Sequence, residues 1–303
     1  MRTTLDRLLA ALMLFTRLPW WRLHRVPTEA FTHAVDFWPV AGWLTGGIMA
    51  SVYLAAAMAG ASPLLAAALA VAARVMLTGA LHEDGLADCA DGFGGGTTRE
   101  RTLAIMKDSH IGTYGVIALI LELGLLTLAI AELPSIAYRL PAVTPPLNSR
   151  PSALHFQLTA ATVMLFDTCA KTAASWVTSQ LPYARATETA KVGVVYRSRQ
   201  GIMLHALRCL VALAPPAACC CWAATIDHEA PCATSIAAVP AGLLSVLPAA
   251  FIAEWLLARY LRRRIGGYTG DCCGAIFLLC ELTLYATALL LLPSLWQFLS
   301  ARP

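Results

Sequence analysis

Residues 82–92 read HEDGLADCADG, which places four carboxylates within nine positions. On an α-helix Asp84, Asp88 and Asp91 stand at i, i+4 and i+7, within about 60° of one another around the axis, so they share one face, and Glu83 lies about 100° off it. At about 6 Å and an effective dielectric near 20, such carboxylates repel one another by roughly 3 kcal/mol per pair. Solvation of an acidic loop would relieve that repulsion, but a divalent hard cation relieves it directly. Mg²⁺ keeps several waters and is shared between one or two carboxylates and substrate phosphates. On this reading Asp84, Asp88 and Asp91 are the candidate Mg²⁺ ligands.

The next stretch, GFGGGTTRERTLAIMKDSHIGTYGV, brings Arg99, Arg101, Lys107, Asp108 and the turn glycines Gly112 and Gly115. Gly-rich turns and helix N-termini bind phosphate through backbone N–H groups, and Arg and Lys supply the charge. A second glycine motif, RRRIGGYTGDCCGA at 262–275, adds Gly267, Gly270 and Asp271. Asp271 is either the cap of the following helix or a fourth metal ligand. Tyr268 is either an interfacial anchor or the wall of a ring-binding pocket. His82 and His110 are the candidate bases for a sugar hydroxyl near neutral pH.

The elements that must position these residues follow from composition. The chain has 303 residues, 58% of them hydrophobic and 13% charged, with a positive mean hydropathy, which takes it out of the ordinary soluble class. A membrane-crossing helix needs about 20 apolar residues. Seven windows qualify, at 38–59, 63–82, 114–133, 153–180, 204–226, 235–258 and 272–297, with 204–226 interrupted by APPAACCC. They lack the alternation of barrel strands, so an all-α polytopic bundle is predicted.

With the N-terminus cytoplasmic, 16 of the 22 Lys and Arg fall in the segments 1–37, 83–113, 181–203 and 259–271, Lys191, Arg197 and Arg199 among them. Only Arg139, Arg150 and Arg302 fall on the other side. Such asymmetry marks the cytoplasmic side, so the acidic patch is expected in the cytoplasm and the membrane is expected to be a bacterial cytoplasmic (inner) one. The whole chain reads as a single integral membrane domain. Residues 1–37 form a cytoplasmic or interfacial segment, 38–297 the transmembrane bundle, and 82–113 and 259–271 its catalytic loops.

Near the start, MRTTLDRLLAALMLFTRLPWW has too short an apolar run and no small-residue cleavage site for a signal peptide. It is expected to be an interfacial amphipathic helix with Trp20 and Trp21 at headgroup depth. The ten cysteines contain no C-x-x-C pair and read as small apolar core residues. LPAVTPPLNSRPS at 140–152 reads as an external linker. Within the helices Arg74, Glu122, Asp167, Lys171, Arg208, Glu254 and Glu281 must pair or line a cavity. Asp167 and Lys171, four apart, can pair with each other; Arg74 is placed to neutralise part of the acidic patch.

A cytoplasmic metal site beside phosphate-binding turns on a helical bundle suggests phosphoryl or nucleotidyl transfer involving a membrane-associated substrate. The sequence also resembles the adenosylcobinamide-GDP ribazoletransferase (cobalamin synthase) family, through FTRLPWW, FWPVAGWLTGG at 37–47, GALHEDGLADCADGFGGG at 79–96, RERTLAIMKDSHIGTYGVIAL at 99–119 and GGYTGDCCGA at 266–275. The resemblance implies attack of a hydroxyl of α-ribazole, or of its 5′-phosphate, on adenosylcobinamide-GDP with release of GMP, and a requirement for Mg²⁺. It implies that Asp84, Asp88 and Asp91 bind Mg²⁺ and the pyrophosphate. Arg99, Arg101, Lys107 and the 266–271 turn would hold phosphates or the guanosine, and His82 or an aspartate would act as base. A homo-oligomer and other enzymes of the cobalamin pathway are the partners it suggests, besides the lipid bilayer; nucleic acid is not among them.

Two features depart from that pattern: His110 stands where KDSRIG would have Arg, and the external segments 134–152 and 227–235 are long. A CDP-alcohol phosphotransferase also uses an aspartate helix at a membrane face, but its D-G-x-x-A-R start is not met, since Asp88 follows DGLA. A polyprenyl transferase would need two aspartate-rich motifs. A divalent cation transporter would place its carboxylates near the midplane of the membrane.

Overall fold

The computed structural model describes residues 2–139, 153–185, 202–225 and 242–300. The linker 140–152, the segment 227–235 and Arg150, Lys191, Arg197, Arg199 and Arg302 lie outside the described residues. The described chain is helical: α1 (Arg2–Phe15), two 3-10 stretches (Trp20–Arg22 and Thr28–Phe37), α2 (Trp38–Met58), α3 (Pro63–Thr78), α4 (Leu81–Gly95), α5 (Arg99–Ile105), α6 (Thr113–Arg139), α7 (Ala153–Gln180), α8 (Ile202–Thr225), α9 (Pro248–Ile265) and α10 (Gly270–Ser300).

Four stretches among the described residues are long and apolar enough to cross a membrane: Thr28–Met58, Thr113–Ser135, Gly242–Ile265 and Gly270–Pro293. The pair α3 and α4, whose axes differ by 89°, makes a fifth if it counts as one bent span. Among the described residues four or five stretches meet that standard, and the expected count of seven is not confirmed. The 63–82 window fails as one straight helix because Gly79 and Ala80 both adopt left-handed backbone, at φ 67° and 59°, and turn the chain sharply. In the 204–226 window the helix runs on through Pro215 and Pro216, yet its apolar part, Ala206–Trp222, is short.

α7 misses the apolar standard for a different reason. It is the central helix, and Val163, Phe166, Asp167, Ala170, Lys171, Ala174 and Val177 are all fully buried. It packs chiefly on α2, α8 and α10, so its polar residues face protein rather than lipid. Contact with α2 is close because Gly42 and Gly46 face it: a Cβ on Gly42 would stand 2.9 Å from Thr168 Cα, and one on Gly46 3.0 Å from Met164 Cα. Small residues four apart let two membrane helices approach backbone to backbone.

The centre of the bundle is ionic. Arg74 on α3 is fully buried and lies 3.7 Å from Glu83 on α4, 4.0 Å from Glu122 on α6 and 3.7 Å from Asp167 on α7, and it hydrogen-bonds Glu281 on α10. Lys171 Nζ donates to Asp167 at 2.5 Å, the intrahelical pair that the spacing predicts, and stands 3.9 Å over the Phe277 ring. Arg74 thus meets Glu83, the carboxylate off the shared face, and its nearest partner is Glu281. Glu254 lies elsewhere, accepting from Gln180 at 2.9 Å and 3.0 Å.

Candidate active site

The acidic run forms α4, a separate helix that lies across the bundle's end. Its first turn packs on the start of α10, where a Cβ on Gly274 would stand 3.0 Å from the His82 carbonyl. Its last turns reach the start of α6 at residues 112–115. The crossing with α10 is tight because Gly85 has no side chain: a Cβ there would come within 2.7 Å of the Asp271 carbonyl. Cys89 and Cys272 meet at the same crossing with their sulfurs 3.8 Å apart.

This contact brings Asp271 beside Asp84 and Asp88. Asp84 is exposed, while Asp88 and Asp271 are half-buried. The Asp88 carboxyl is pushed up to about 7 by burial, then by the charges of Asp271 and Asp84, with Asp91 adding to them and Arg185 opposing. Arg185 bonds Asp271 at 3.0 Å and also donates to the Met106 carbonyl at 3.3 Å. No motif surrounds Arg185 to single it out from the other basic loop residues; the fold carries it to Asp271.

Asp91 has a different place from its helical neighbours. It is buried, and its two carboxylate oxygens accept from the backbone N–H groups of Gly112, at 2.6 Å, and Gly115, at 2.9 Å. It therefore fastens α4 to the N-terminus of α6, whose orphan N–H groups need acceptors. Gly112, read as a phosphate-binding turn, has its N–H directed to Asp91.

The basic residues are likewise divided. Arg99 donates to the carbonyls of Ile265, at 2.8 Å, and Ala184, at 2.9 Å, and Arg264 to that of Gly96 at 2.9 Å, so both tie loops together. Arg101 and Lys107 are exposed. Asp108 is exposed and accepts from the His110 ring at 2.6 Å and its N–H at 3.1 Å, bonds that hold its carboxyl below the ordinary range.

The 266–271 turn is stitched to residues 182–184. Tyr268 N–H donates to the Pro182 carbonyl at 3.0 Å, and the Tyr268 carbonyl accepts from Ala184 at 2.8 Å. Gly267 fits there because a Cβ would lie 2.3 Å from the Pro182 carbonyl. Tyr268 is buried, edge-on to Tyr183, so it is no headgroup anchor. Gly270 opens α10, and the cap is Thr269, whose hydroxyl accepts from Cys272 N–H at 3.3 Å. Asp271 accepts from the Thr269 hydroxyl at 3.1 Å.

His82 is 2% exposed. Its ring lies parallel to that of Trp38, centroids 5.5 Å apart, with Phe277 edge-on at 4.8 Å.

The match to known proteins covers this whole arrangement. A family model described as cobalamin-5-phosphate synthase matches residues 7–289. The chain belongs to that family. It is thus a multi-pass membrane protein and a transferase of cobalamin biosynthesis. Among its relatives, an adenosylcobinamide-GDP ribazoletransferase of Ralstonia nicotianae is 35% identical over 263 residues, 86% of this chain and 85% of the relative. One of Shewanella amazonensis is 34% identical over 294 residues, 95% of this chain and 96% of the relative. A third, of Bradyrhizobium diazoefficiens, is 60% identical over a shorter stretch of 95 residues. No solved structure matches the chain.

Whether the carboxylate face suits Mg²⁺ depends on its donors. Among the described residues no three His, Cys, Asp or Glu side chains close around one point as a finished metal cage. Mg²⁺ seldom uses such a cage; it takes one or two carboxylates and completes its shell with waters and substrate phosphates. Asp84 and Asp88, one turn apart and both open on their outer side, fit that mode. Burial is the largest cause of the upward push on Asp88; Asp271 and Asp84 add negative charge to it, which Arg185 opposes.

Proposed function

We propose that this family member joins α-ribazole, or its 5′-phosphate, to adenosylcobinamide-GDP and releases GMP, at a face directed to the cytoplasm of a bacterial inner membrane. The observation that carries the reading is the carboxylate face of Asp84, Asp88 and Asp271 at the crossing of α4 and α10, where Arg185 pairs with Asp271. Asp84 and Asp88 would hold Mg²⁺ together with the pyrophosphate. When bound, Mg²⁺ supplies positive charge that offsets the phosphate oxygens and the developing charge on the leaving GMP.

In the transfer, a ribose hydroxyl oxygen bonds to the corrinoid-bound phosphorus as the bridging oxygen leaves with GMP, and the hydroxyl proton passes to a carboxylate of the face. Arg185 holds Asp271 in place, and Asp91 holds α4 against α6, so both position the face rather than touch the substrates. Arg101 and Lys107 are exposed on the neighbouring segment and supply charge for the phosphates. His82, packed between rings, contributes a wall.

Purified protein given adenosylcobinamide-GDP, α-ribazole and Mg²⁺ should release GMP and form the complete cobamide, and Asp88→Asn should abolish both. Folded wild-type protein that makes no product under these conditions would overturn the proposal.

A further inference from the structure

Beside the carboxylate face is a pocket of about 220 Å³, formed where α1 and the start of α2 cover the first turns of α4 and α10. Leu14, Phe15, Val35 and Trp38 make its apolar side, and Asp84 and Asp271 its polar side. The aromatic side is preformed: Phe15 and Trp38 stack with centroids 4.9 Å apart and planes 12° from parallel, and the nearly parallel His82 ring lies beside both, 5.5 Å from Trp38 and 6.2 Å from Phe15.

Size excludes most of what the reaction handles. Pockets for drug-sized molecules run from about 300 to 1,000 Å³, so this one takes a fragment, such as a two-ring base, and neither a whole nucleotide nor a corrin. Its polar atoms narrow the choice. Trp38 Nε1 and both ring nitrogens of His82 are buried without a hydrogen-bond partner in the described structure, and both residues line the pocket. A buried N–H donor without a partner asks for an acceptor.

A benzimidazole-type base joined to ribose offers an acceptor nitrogen, an apolar ring and no N–H of its own. Guanine's ring and amino N–H donors find no acceptor on the side made by Leu14, Phe15 and Val35 and could be met only by Asp84 and Asp271, the carboxylates that the ribose hydroxyls would otherwise meet.

Resting on the proposed ribazole transfer, we infer that this pocket seats the base of the incoming nucleoside, a flat fused-ring base with an acceptor nitrogen, and turns its ribose toward Asp84 and Asp271. The aromatic cluster binds the apolar ring, and the carboxylates at the polar side receive the ribose hydroxyls. The N-terminal helix thereby becomes part of the substrate site, a role separate from any contact with lipid.

The test uses two variants of the full-length protein in detergent or nanodiscs. Leu14→Trp fills the pocket, and Leu14→Ala enlarges it without adding bulk that could disturb folding. Calorimetric titration with α-ribazole alone reads binding independently of turnover. Leu14→Trp should weaken it by about tenfold or more, with a matching rise in the KM for α-ribazole and a KM for adenosylcobinamide-GDP that stays within about twofold. Leu14→Ala should improve the use of nucleosides with bulkier bases.

A rise confined to the KM for adenosylcobinamide-GDP would assign the pocket to the guanine and overturn the inference. So would unchanged binding and KM in both variants. Wild-type protein that binds α-ribazole, loses that binding in Leu14→Trp and never yields product would instead leave the pocket standing and sink the proposed reaction.

Discussion

Asp88 is half-buried beside Asp84 and Asp271, and burial, followed by their charges, pushes its carboxyl up to about 7 from the ordinary value of about 4. Protons therefore compete with a cation for this group through the range in which the protein works. Mg²⁺ affinity, measured by titration calorimetry, should fall as pH drops from 8 to 6, by up to about tenfold for each unit below 7. Asp88→Asn should flatten that dependence; an unchanged slope in the variant would refute the assignment. The sign for stability is opposite. A carboxyl raised in the folded state favours folding while it is protonated, so Mg²⁺-free protein should lose thermal stability as pH rises from about 4 to about 7, and Asp88→Asn should lose less. Asp91 behaves differently because its oxygens accept two backbone N–H groups. Asp91→Ala leaves buried donors without acceptors and should cost about 1–3 kcal/mol of stability, visible in melts with or without Mg²⁺.

At the scale of elements, the sharpest constraint is the meeting of α4 and α10. Gly85→Ala would put a methyl group 2.7 Å from the Asp271 carbonyl, so one backbone must shift. A displacement of about 1 Å at a catalytic face can cost on the order of 100-fold in rate. The variant should therefore lose kcat far more than thermal stability, and a full-rate Gly85→Ala would show that the crossing does not set the geometry. The helical spacing of Asp84, Asp88 and Asp91 was legible in the sequence, and so was the Asp167–Lys171 pair, because both depend on one helix alone. The division of the aspartates was not legible: Asp91 turns to α6 and Asp88 to α10, and both partners come from distant sequence. Arg99 shows the same limit. A basic residue beside a glycine run reads as a phosphate contact, yet its guanidinium is directed to the Ile265 and Ala184 carbonyls. The bend in the 63–82 window was not legible either, because a run of apolar residues carries no sign of the left-handed pair Gly79 and Ala80.

The whole molecule is organised around Arg74, which touches carboxylates on α4, α6, α7 and α10 from its own place on α3. Removing one partner of a buried ionic network leaves charge uncompensated, typically at a cost of about 3–5 kcal/mol. Arg74→Leu should accordingly lower the yield of folded protein and the melting temperature. Glu281→Gln, which keeps a hydrogen-bonding group beside Arg74, should do so less; equal loss in the two would argue against Arg74 as the centre of the network.

The burial of α7 has a consequence for how the chain is made. A helix bearing both Asp167 and Lys171 near its middle partitions poorly into lipid by itself, since each such charge costs about 2.5–3.5 kcal/mol during insertion at a helix centre. Its welcome comes from neighbours already in place, Arg74 and the glycine face of α2 among them. During synthesis α7 would then wait at the translocon until α2 and α3 receive it. In a glycosylation-reporter assay, α7 alone should insert inefficiently, and the same segment preceded by α2 to α6 should insert well.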